Sequence, residues 1–190
     1  MAAEKETLQK EKKERRKGII KELVLYAVLI VLCVKIIPTY VLQRTIVDGP
    51  SMENTLLDGE SLLVEKISWR FGKIDRFDII VFYPYGREVE SEYYIKRVIG
   101  LPGETVQIIE DKIYIDGELL EEDYGKDQVI SPGRAAEPVK LGDDEYFVLG
   151  DNREVSLDSR SAQVGNVSRK NFGGKAILRI WPLSEFGIPD

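Results

Sequence analysis

The 190-residue chain contains no histidine and a single cysteine. Without histidine there is no Ser-His-Asp triad, no Cys-His dyad and no His-ligated zinc, which removes most of the familiar hydrolase chemistries. Without a second cysteine there is no intrachain disulfide and no Cys-rich metal site, and Cys33 itself lies inside an apolar run. Internal repeats and low-complexity tracts are also absent. What is present excludes a disordered chain: 43% of residues are hydrophobic, and there are nine tyrosines, six phenylalanines and two tryptophans. The length suits one well-buried domain with an anchor and is short for two independent cores.

Charge is split along the chain. Of 27 basic and 33 acidic residues, the first 21 positions hold eight Lys/Arg and four Glu, a net of +4, and the rest of the chain carries a net of −10. The basic leader runs into the apolar stretch Leu23 to Val34. That order reads as a membrane segment whose N-terminal side is held in the cytoplasm. Nucleic-acid binding by the leader is the poorer reading, because four glutamates interrupt it. Twelve helical residues rise only ~18 Å against a hydrocarbon core of roughly 30 Å. The expected anchor therefore covers residues 18–37, with Lys21, Glu22 and Lys35 near its ends, where long side chains snorkel to headgroups. A cleaved signal peptide competes as a reading of so short an apolar core. Lys35-Ile36-Ile37-Pro38-Thr39-Tyr40 offers no small-x-small cleavage site, however, so a permanent anchor is expected. The division is then a cytoplasmic leader at 1–17, an anchor in membrane lipid at 18–37 and an exported domain at 38–190.

Beyond the anchor, short β-rich stretches alternate with turn residues, and strands are predicted at 40–47, 61–67, 78–83, 92–99, 105–109, 112–115, 145–149 and 175–181. Asp116-Gly117 is a hairpin or turn signal, while Pro102-Gly103 and Pro132-Gly133 break the chain elsewhere. Residues 118–143 are acidic, bear Gly and Pro and are weakly periodic, which predicts a smaller excursion from the main β core rather than a second domain. The expected fold is mostly β, an N-terminal transmembrane helix followed by an exported β domain.

Three stretches carry chemistry. The first, Gly49-Pro50-Ser51-Met52-Glu53-Asn54-Thr55-Leu56, comes directly after the greasy segment. Pro50 fixes its own φ and biases Gly49 away from the helical region, so Ser51 is delivered on a stiff turn. Taken alone, Gly-Pro-Ser is equally ordinary linker punctuation. A serine nucleophile in a chain without histidine needs a carboxylate, a tyrosine or a neutral lysine as its base. The second stretch, Tyr94-Ile95-Lys96-Arg97-Val98-Ile99, sets Tyr94, Lys96 and Val98 on one strand face and Ile95, Arg97 and Ile99 on the other. Lys96 has apolar neighbours along its face, surroundings that disfavour an ammonium ion. Bringing a lysine from ~10.4 to near 7 takes ~4 kcal/mol, which substantial burial can supply. An ordinary lysine on a half-exposed strand stays open as well. The third stretch is Gly150-Asp151-Asn152-Arg153-Glu154-Val155-Ser156-Leu157-Asp158-Ser159-Arg160. The Asp/Asn spacing and central glycine of a calcium loop are missing from it. Gly150-Asp151-Asn152 reads as a turn; the arginines, acids and serines after it read as an ion-paired brace for a catalytic loop or as solvated polar surface.

Together, SMENTL at 51–56, FDIIVFYP at 77–84, YIKRVIGLPGE at 94–104 and GDNREVSLDSR at 150–160 stand in the order and approximate spacing of the boxes of bacterial type I signal peptidases. The chain resembles that family from the anchor to Pro182. The resemblance implies a coiled, mainly antiparallel β-sheet catalytic domain of the type shared with self-cleaving repressors, with Ser51 as nucleophile and Lys96 as general base. It also implies that Ser156 hydrogen-bonds and orients the lysine, that Asp158 and Arg160 brace the loop from behind, and that the Ser51 N–H serves as an oxyanion donor. In one branch of the family a serine two positions before the nucleophile adds a side-chain donor. Here that position is Gly49, which leaves the second donor open and is similar to the compact single-anchor enzymes of Gram-positive bacteria. A second departure is Asn54, where the family usually has proline; it is expected to loosen the turn after the nucleophile. By the same resemblance, the walls of the substrate pockets are expected to fall on Val47, Asp48, Met52, Leu56, Tyr94 and Ile95.

The activity implied is removal of signal peptides from exported preproteins by two-step acyl transfer, cutting after small residues, with no metal or organic cofactor and no nucleic-acid partner. A self-cleaving repressor of the same Ser/Lys type would need a DNA-binding domain where this chain has its apolar segment. A penicillin-recognising enzyme is disfavoured, since no serine here is followed three residues later by lysine. The non-enzyme alternative is an anchored β module that binds partners, with Ser51 and Lys96 incidental.

Overall fold

A computed structural model describes residues 2–86, 92–125 and 131–189. The chain divides into two compact units, residues 1–41 and 42–190. In the first, α1 (Ala2–Val31) passes into a π-helical stretch, Leu32–Val41. Pro38 lies within that stretch and has no amide hydrogen to give an α-helical ladder, so a change of hydrogen-bond pattern around it has a physical cause. The apolar run expected to form one anchor is thereby divided. Its α-helical part, Leu23 to Val31, follows Lys21 and Glu22 directly and rises only ~14 Å. Among the described residues no helix is long and apolar enough to cross a membrane.

The second unit is mostly β and entirely antiparallel in its pairings. Its strands are β1 (Leu42–Ile46), β2 (Ser61–Glu65), β3 (Ile79–Phe82), β4 (Tyr94–Gly100), β5 (Thr105–Ile109), β6 (Lys112–Ile115), β7 (Glu118–Leu119), β8 (Val139–Lys140), β9 (Glu145–Leu149), β10 (Val167–Ser168) and β11 (Phe172–Trp181). Seven of them form a sheet in the order β1-β2-β11-β3-β4-β9-β10, and four form a smaller one in the order β7-β6-β5-β8. The large sheet is bent by register shifts in β11 against both β2 and β3 and in β4 against β9, the irregularities that curl a sheet.

Strands β5, β6 and β9 have the boundaries predicted from β-rich stretches between turn residues, whereas β7, β8 and β10 are two residues long, too short to show such a stretch. Asp116-Gly117 is indeed a hairpin turn joining β6 to β7, with φ of 52° and 88°, both left-handed as a type I′ turn requires. A second two-residue turn joins β5 to β6 at Glu110 and Asp111, with φ of 48° and 62° and no glycine to announce it. The acidic stretch 118–143 supplies β7, β8 and a 3₁₀ turn, Gly133–Ala136; its positions 126–130 lie outside the described residues.

The continuous apolar run of β3 follows from burial on both faces. Ile79 and Val81 pack with Val47, Met52, Leu56 and Ile95, while Ile80 and Phe82 pack with Val98, Tyr146 and Phe172. A third cluster, including Ile99, Val106, Ile113 and Phe147, draws on both the large and the small sheet. Burying each such side chain contributes about 1.5–3 kcal/mol. Strand β4 is thus held from both sides, which fixes where its side chains go.

Candidate active site

Gly49 has φ of 85°, a conformation that L side chains rarely adopt, so the chain bends there at little cost only because the residue is glycine. Its N–H donates to Asp58 Oδ1 at 2.8 Å and is therefore already engaged. Beyond Pro50 the backbone closes on itself. Glu53 N–H donates to the Pro50 carbonyl at 3.0 Å, and Thr55 and Leu56 N–H both donate to the Met52 carbonyl, at 3.1 and 2.8 Å. Asn54 takes φ of 97°, which a proline ring, fixed near −65°, cannot reach. The turn is consequently not loosened by asparagine: the residue is compatible with a left-handed corner that proline would forbid.

Lys96 is 4% exposed on β4, across from Ile80 of β3. Its Nζ donates to Ser51 Oγ at 2.7 Å and to the Ile95 carbonyl at 2.9 Å, and sits 5.5 Å from the centre of the Tyr94 ring. The alternation read from sequence holds: Tyr94 and Val98 pack together in one cluster and Ile95 in another. Burial pushes the Lys96 ammonium down to about 8, against an upward pull from Asp158 and then Asp151. A neutral amine is then accessible near neutral pH, and a hydroxyl lies within its reach.

The loop after β9 is an ion-paired brace. Asp158 Oδ1 accepts from Arg160 Nε at 2.9 Å and from the Arg160 N–H at 3.1 Å, and Asp158 Oδ2 accepts from Arg160 Nη2 at 2.9 Å and the Gly150 N–H at 3.2 Å. Arg160 Nη2 also donates to the Arg153 carbonyl at 2.7 Å. Arg153 pairs with Glu122 at 2.9 Å and donates through Nε to the Gly150 carbonyl at 3.0 Å, so the acidic excursion holds the loop as well. The loop reaches the turn that carries Ser51 through the Asn152 N–H, which donates to the Ser51 carbonyl at 3.1 Å. Gly150 is the contact point, because a Cβ there would collide with Ser156 Oγ and the Ser51 carbonyl oxygen.

The expected hydrogen bond from Ser156 to Lys96 is not made. Ser156 Oγ is buried without a hydrogen-bond partner among the described residues, and the lysine is engaged with Ser51 and Ile95 instead. A cleft of about 420 Å³ runs past Ser51, with Val47 to Met52 on one wall, Glu92 to Lys96 on the other, and Val155 and Leu157 at its side. Of the anticipated pocket residues, Val47, Asp48, Met52, Tyr94 and Ile95 line it. Leu56 does not; it is fully buried in the cluster that includes Met52 and Ile95.

The family described as signal peptidase, peptidase S26, matches residues 20–181. The chain belongs to the signal peptidase family. Signal peptidase I of Bacillus licheniformis is 32% identical over 190 residues, spanning 96% of this chain and 100% of that one. Signal peptidase I of Leptolyngbya laminosa is 41% identical over 156 residues, 80% of this chain and 74% of the other. A crystal structure of a signal peptidase I from Enterococcus faecalis is 36% identical and covers 54% of this chain and 96% of that one, with a TM-score of 0.45. Membership makes the chain a signal peptidase I, a serine endopeptidase.

Several groups around Ser51 and Lys96 in this signal peptidase are not legible in the sequence. Arg97 is 2% exposed and grips Asp151, at 0%; its Nη1 donates to the Phe77 carbonyl at 2.9 Å, and the Tyr124 ring lies 3.6 Å from its guanidinium carbon. Phe77 is held at φ of 74°, an uncommon conformation for a bulky side chain. In sequence Asp151 reads as part of a turn, and nothing short of the fold brings Phe77 and Tyr124 to Arg97. Val155 and Leu157, on either side of Ser156, were legible only as residues flanking it.

Proposed function

We propose that the chain is a membrane-anchored signal peptidase in which Ser51 is the nucleophile and Lys96 the general base. The observation that carries this reading is the 2.7 Å hydrogen bond from Lys96 Nζ to Ser51 Oγ in a chain with no histidine. Neutral Lys96 takes the Oγ proton as the Oγ–carbon bond forms, and the oxyanion is met by the Ser51 N–H, which has no partner among the described residues. Collapse breaks the scissile C–N bond, and the lysine passes its proton to the departing amine. A water then gives its proton to Lys96 and attacks the ester, and Ser51 regains its proton as the acid product leaves. Gly49 supplies the bend rather than a donor, since its N–H is spent on Asp58. Asp158 and Arg160 hold the loop behind the pair.

Substrates in this reading are exported preproteins presenting the end of the signal peptide as an extended strand. β1 is an edge of the large sheet, and β4 pairs with β9 only from Arg97 onward. The cleft therefore has an edge on each side for main-chain hydrogen bonds, with alternate side chains entering pockets. The walls formed by Val47, Met52 and Ile95 are 3%, 1% and 6% exposed and packed into the core, which favours small side chains.

Anchoring is supported by composition and exposure. Leu23, Val24, Leu25, Val28, Ile30 and Val31 are all more than half exposed on α1, and the basic excess lies on the N-terminal side of them, the order that leaves the N-terminus cytoplasmic and the β unit exported. Protease added to right-side-out cells should cut the β unit; a unit cut only after the membrane is breached reverses the topology. For the chemistry, the full chain in detergent is incubated with a preprotein. Loss of cleavage in Ser51→Ala, with the secondary structure unchanged, supports the assignment, and cleavage at the wild-type rate overturns it.

A further inference from the structure

We propose that Thr55 is a positioning residue of the Ser51–Lys96 pair, because its hydroxyl ties the nucleophile turn both to the strand that carries Lys96 and to the loop behind it. This inference rests on the Ser/Lys reading above. Thr55 Oγ1 donates to Asp151 Oδ2 at 2.6 Å and accepts from Arg97 Nη2 at 3.1 Å. Its one proton is committed to the carboxylate and a lone pair to the guanidinium, so both functions of the hydroxyl are in use. All three side chains are buried, with Thr55 at 8%, Arg97 at 2% and Asp151 at 0%. The backbone of Thr55 is fixed as well: its N–H donates to the Met52 carbonyl at 3.1 Å, and its carbonyl accepts from Arg179 Nη1 at 2.9 Å.

The consequence falls on the reacting atoms. Ser51 opens the turn that Thr55 closes, and Arg97 is the immediate neighbour of Lys96 on β4. Sliding the turn along β4, which would lengthen the contact between Lys96 Nζ and Ser51 Oγ, requires breaking the bonds of Thr55 Oγ1 to groups that have no water to turn to. The second tie, from Asn152 N–H to the Ser51 carbonyl, starts from the residue next to Asp151. The same hydroxyl governs charge. Lys96 is faced by Ser51 from the turn and by Tyr94 on its own strand; Asp158, paired with Arg160, and Asp151, paired with Arg97, act on it from the loop, and the apolar Ile80 lies across from it on β3. Removing a donor from Asp151 leaves its negative charge less neutralised, and that charge favours protonated Lys96.

The test uses the full chain in detergent with a preprotein substrate, following kcat, KM and the acid limb of the pH profile for the wild type, Thr55→Val and Thr55→Ser, with Ser51→Ala and Lys96→Ala as controls. Thr55→Val should lose about 10²-fold in kcat with little change in KM, and its acid limb should move to higher pH. Thr55→Ser, which keeps the hydroxyl, should return the limb to its wild-type position. Should the valine variant fail to fold, Thr55→Cys, a weaker donor of similar size, should move the limb in the same direction. A wild-type kcat and limb in the valine or cysteine variant overturns the proposal. So does a fall in kcat with the limb unmoved, which would confine Thr55 to folding. Wild-type cleavage by Ser51→Ala or Lys96→Ala instead removes the Ser/Lys reading on which the proposal stands.

Discussion

Arg97 and Asp151 meet through paired contacts, Nε to Oδ1 at 3.0 Å and Nη2 to Oδ2 at 2.8 Å, with neither side chain more than 2% exposed. A bidentate guanidinium–carboxylate pair is among the stronger buried contacts, and removing one partner strands the other's charge away from water. Asp151→Ala should therefore destabilise the β unit by about 3–5 kcal/mol. Replacing both partners with apolar residues, Arg97→Met with Asp151→Leu, should cost less than the single change. Thermal unfolding of the three proteins checks this, and a double variant no more stable than Asp151→Ala would contradict it.

Asn54 offers a test of backbone rather than charge. With φ at 97°, the position accepts glycine without strain and excludes the fixed φ of proline. Asn54→Gly should change stability by less than about 1 kcal/mol, whereas Asn54→Pro should cost roughly 1–3 kcal/mol or more by forcing the turn open. Urea unfolding curves of the two variants distinguish the outcomes. Equal stability of the proline variant and the wild type would mean that the turn re-forms around a different corner.

The parts of this molecule that were legible in sequence are those in which one local cause decides the structure. β-rich stretches bounded by turn residues place β5, β6 and β9, and Asp116-Gly117 places a hairpin. Lys96 stands out because the chain has no histidine to serve as base and its neighbours along its own strand face, Tyr94 and Val98, are apolar. Leu56, expected at the cleft from the family resemblance, lies in the core, since an apolar residue close to Ser51 in sequence reads the same as wall or as packing. The Thr55–Asp151 contact joins positions 96 residues apart, and no local pattern carries such a pairing. The apolar N-terminal run was read as one helix, while the helical pattern changes at Leu32, a rearrangement that hydropathy does not register.

The pH dependence follows from Lys96. In the proposed Ser/Lys mechanism the working form is the neutral amine, and burial lowers its pKa to about 8, so kcat/KM should rise roughly tenfold per pH unit below that value and level off above it. Lys96→Arg should be inactive across the range, because a guanidinium stays protonated. A bell or plateau whose acid limb lies near pH 4 would assign the base to a carboxylate instead.

Substrate choice should follow the packed walls of the cleft. Alanine, glycine or serine is expected immediately before the scissile bond, with a small residue two positions earlier. A bulky group there has to displace Val47, Met52 or Ile95 at a cost of roughly 1–3 kcal/mol. A preprotein series varied only at those two positions measures this. Cutting after phenylalanine at the alanine rate would refute the wall assignment while leaving the Ser/Lys chemistry standing.

The most direct test of the central claim is to look for the covalent intermediate itself. The full chain in detergent is mixed with excess preprotein, quenched in acid during the first turnover and digested for mass spectrometry. The account predicts the acyl group of the signal peptide on the fragment containing Ser51, attached at Oγ, and its absence in Lys96→Ala. An acyl group on any other residue, or cleavage that persists in Ser51→Ala, would contradict it.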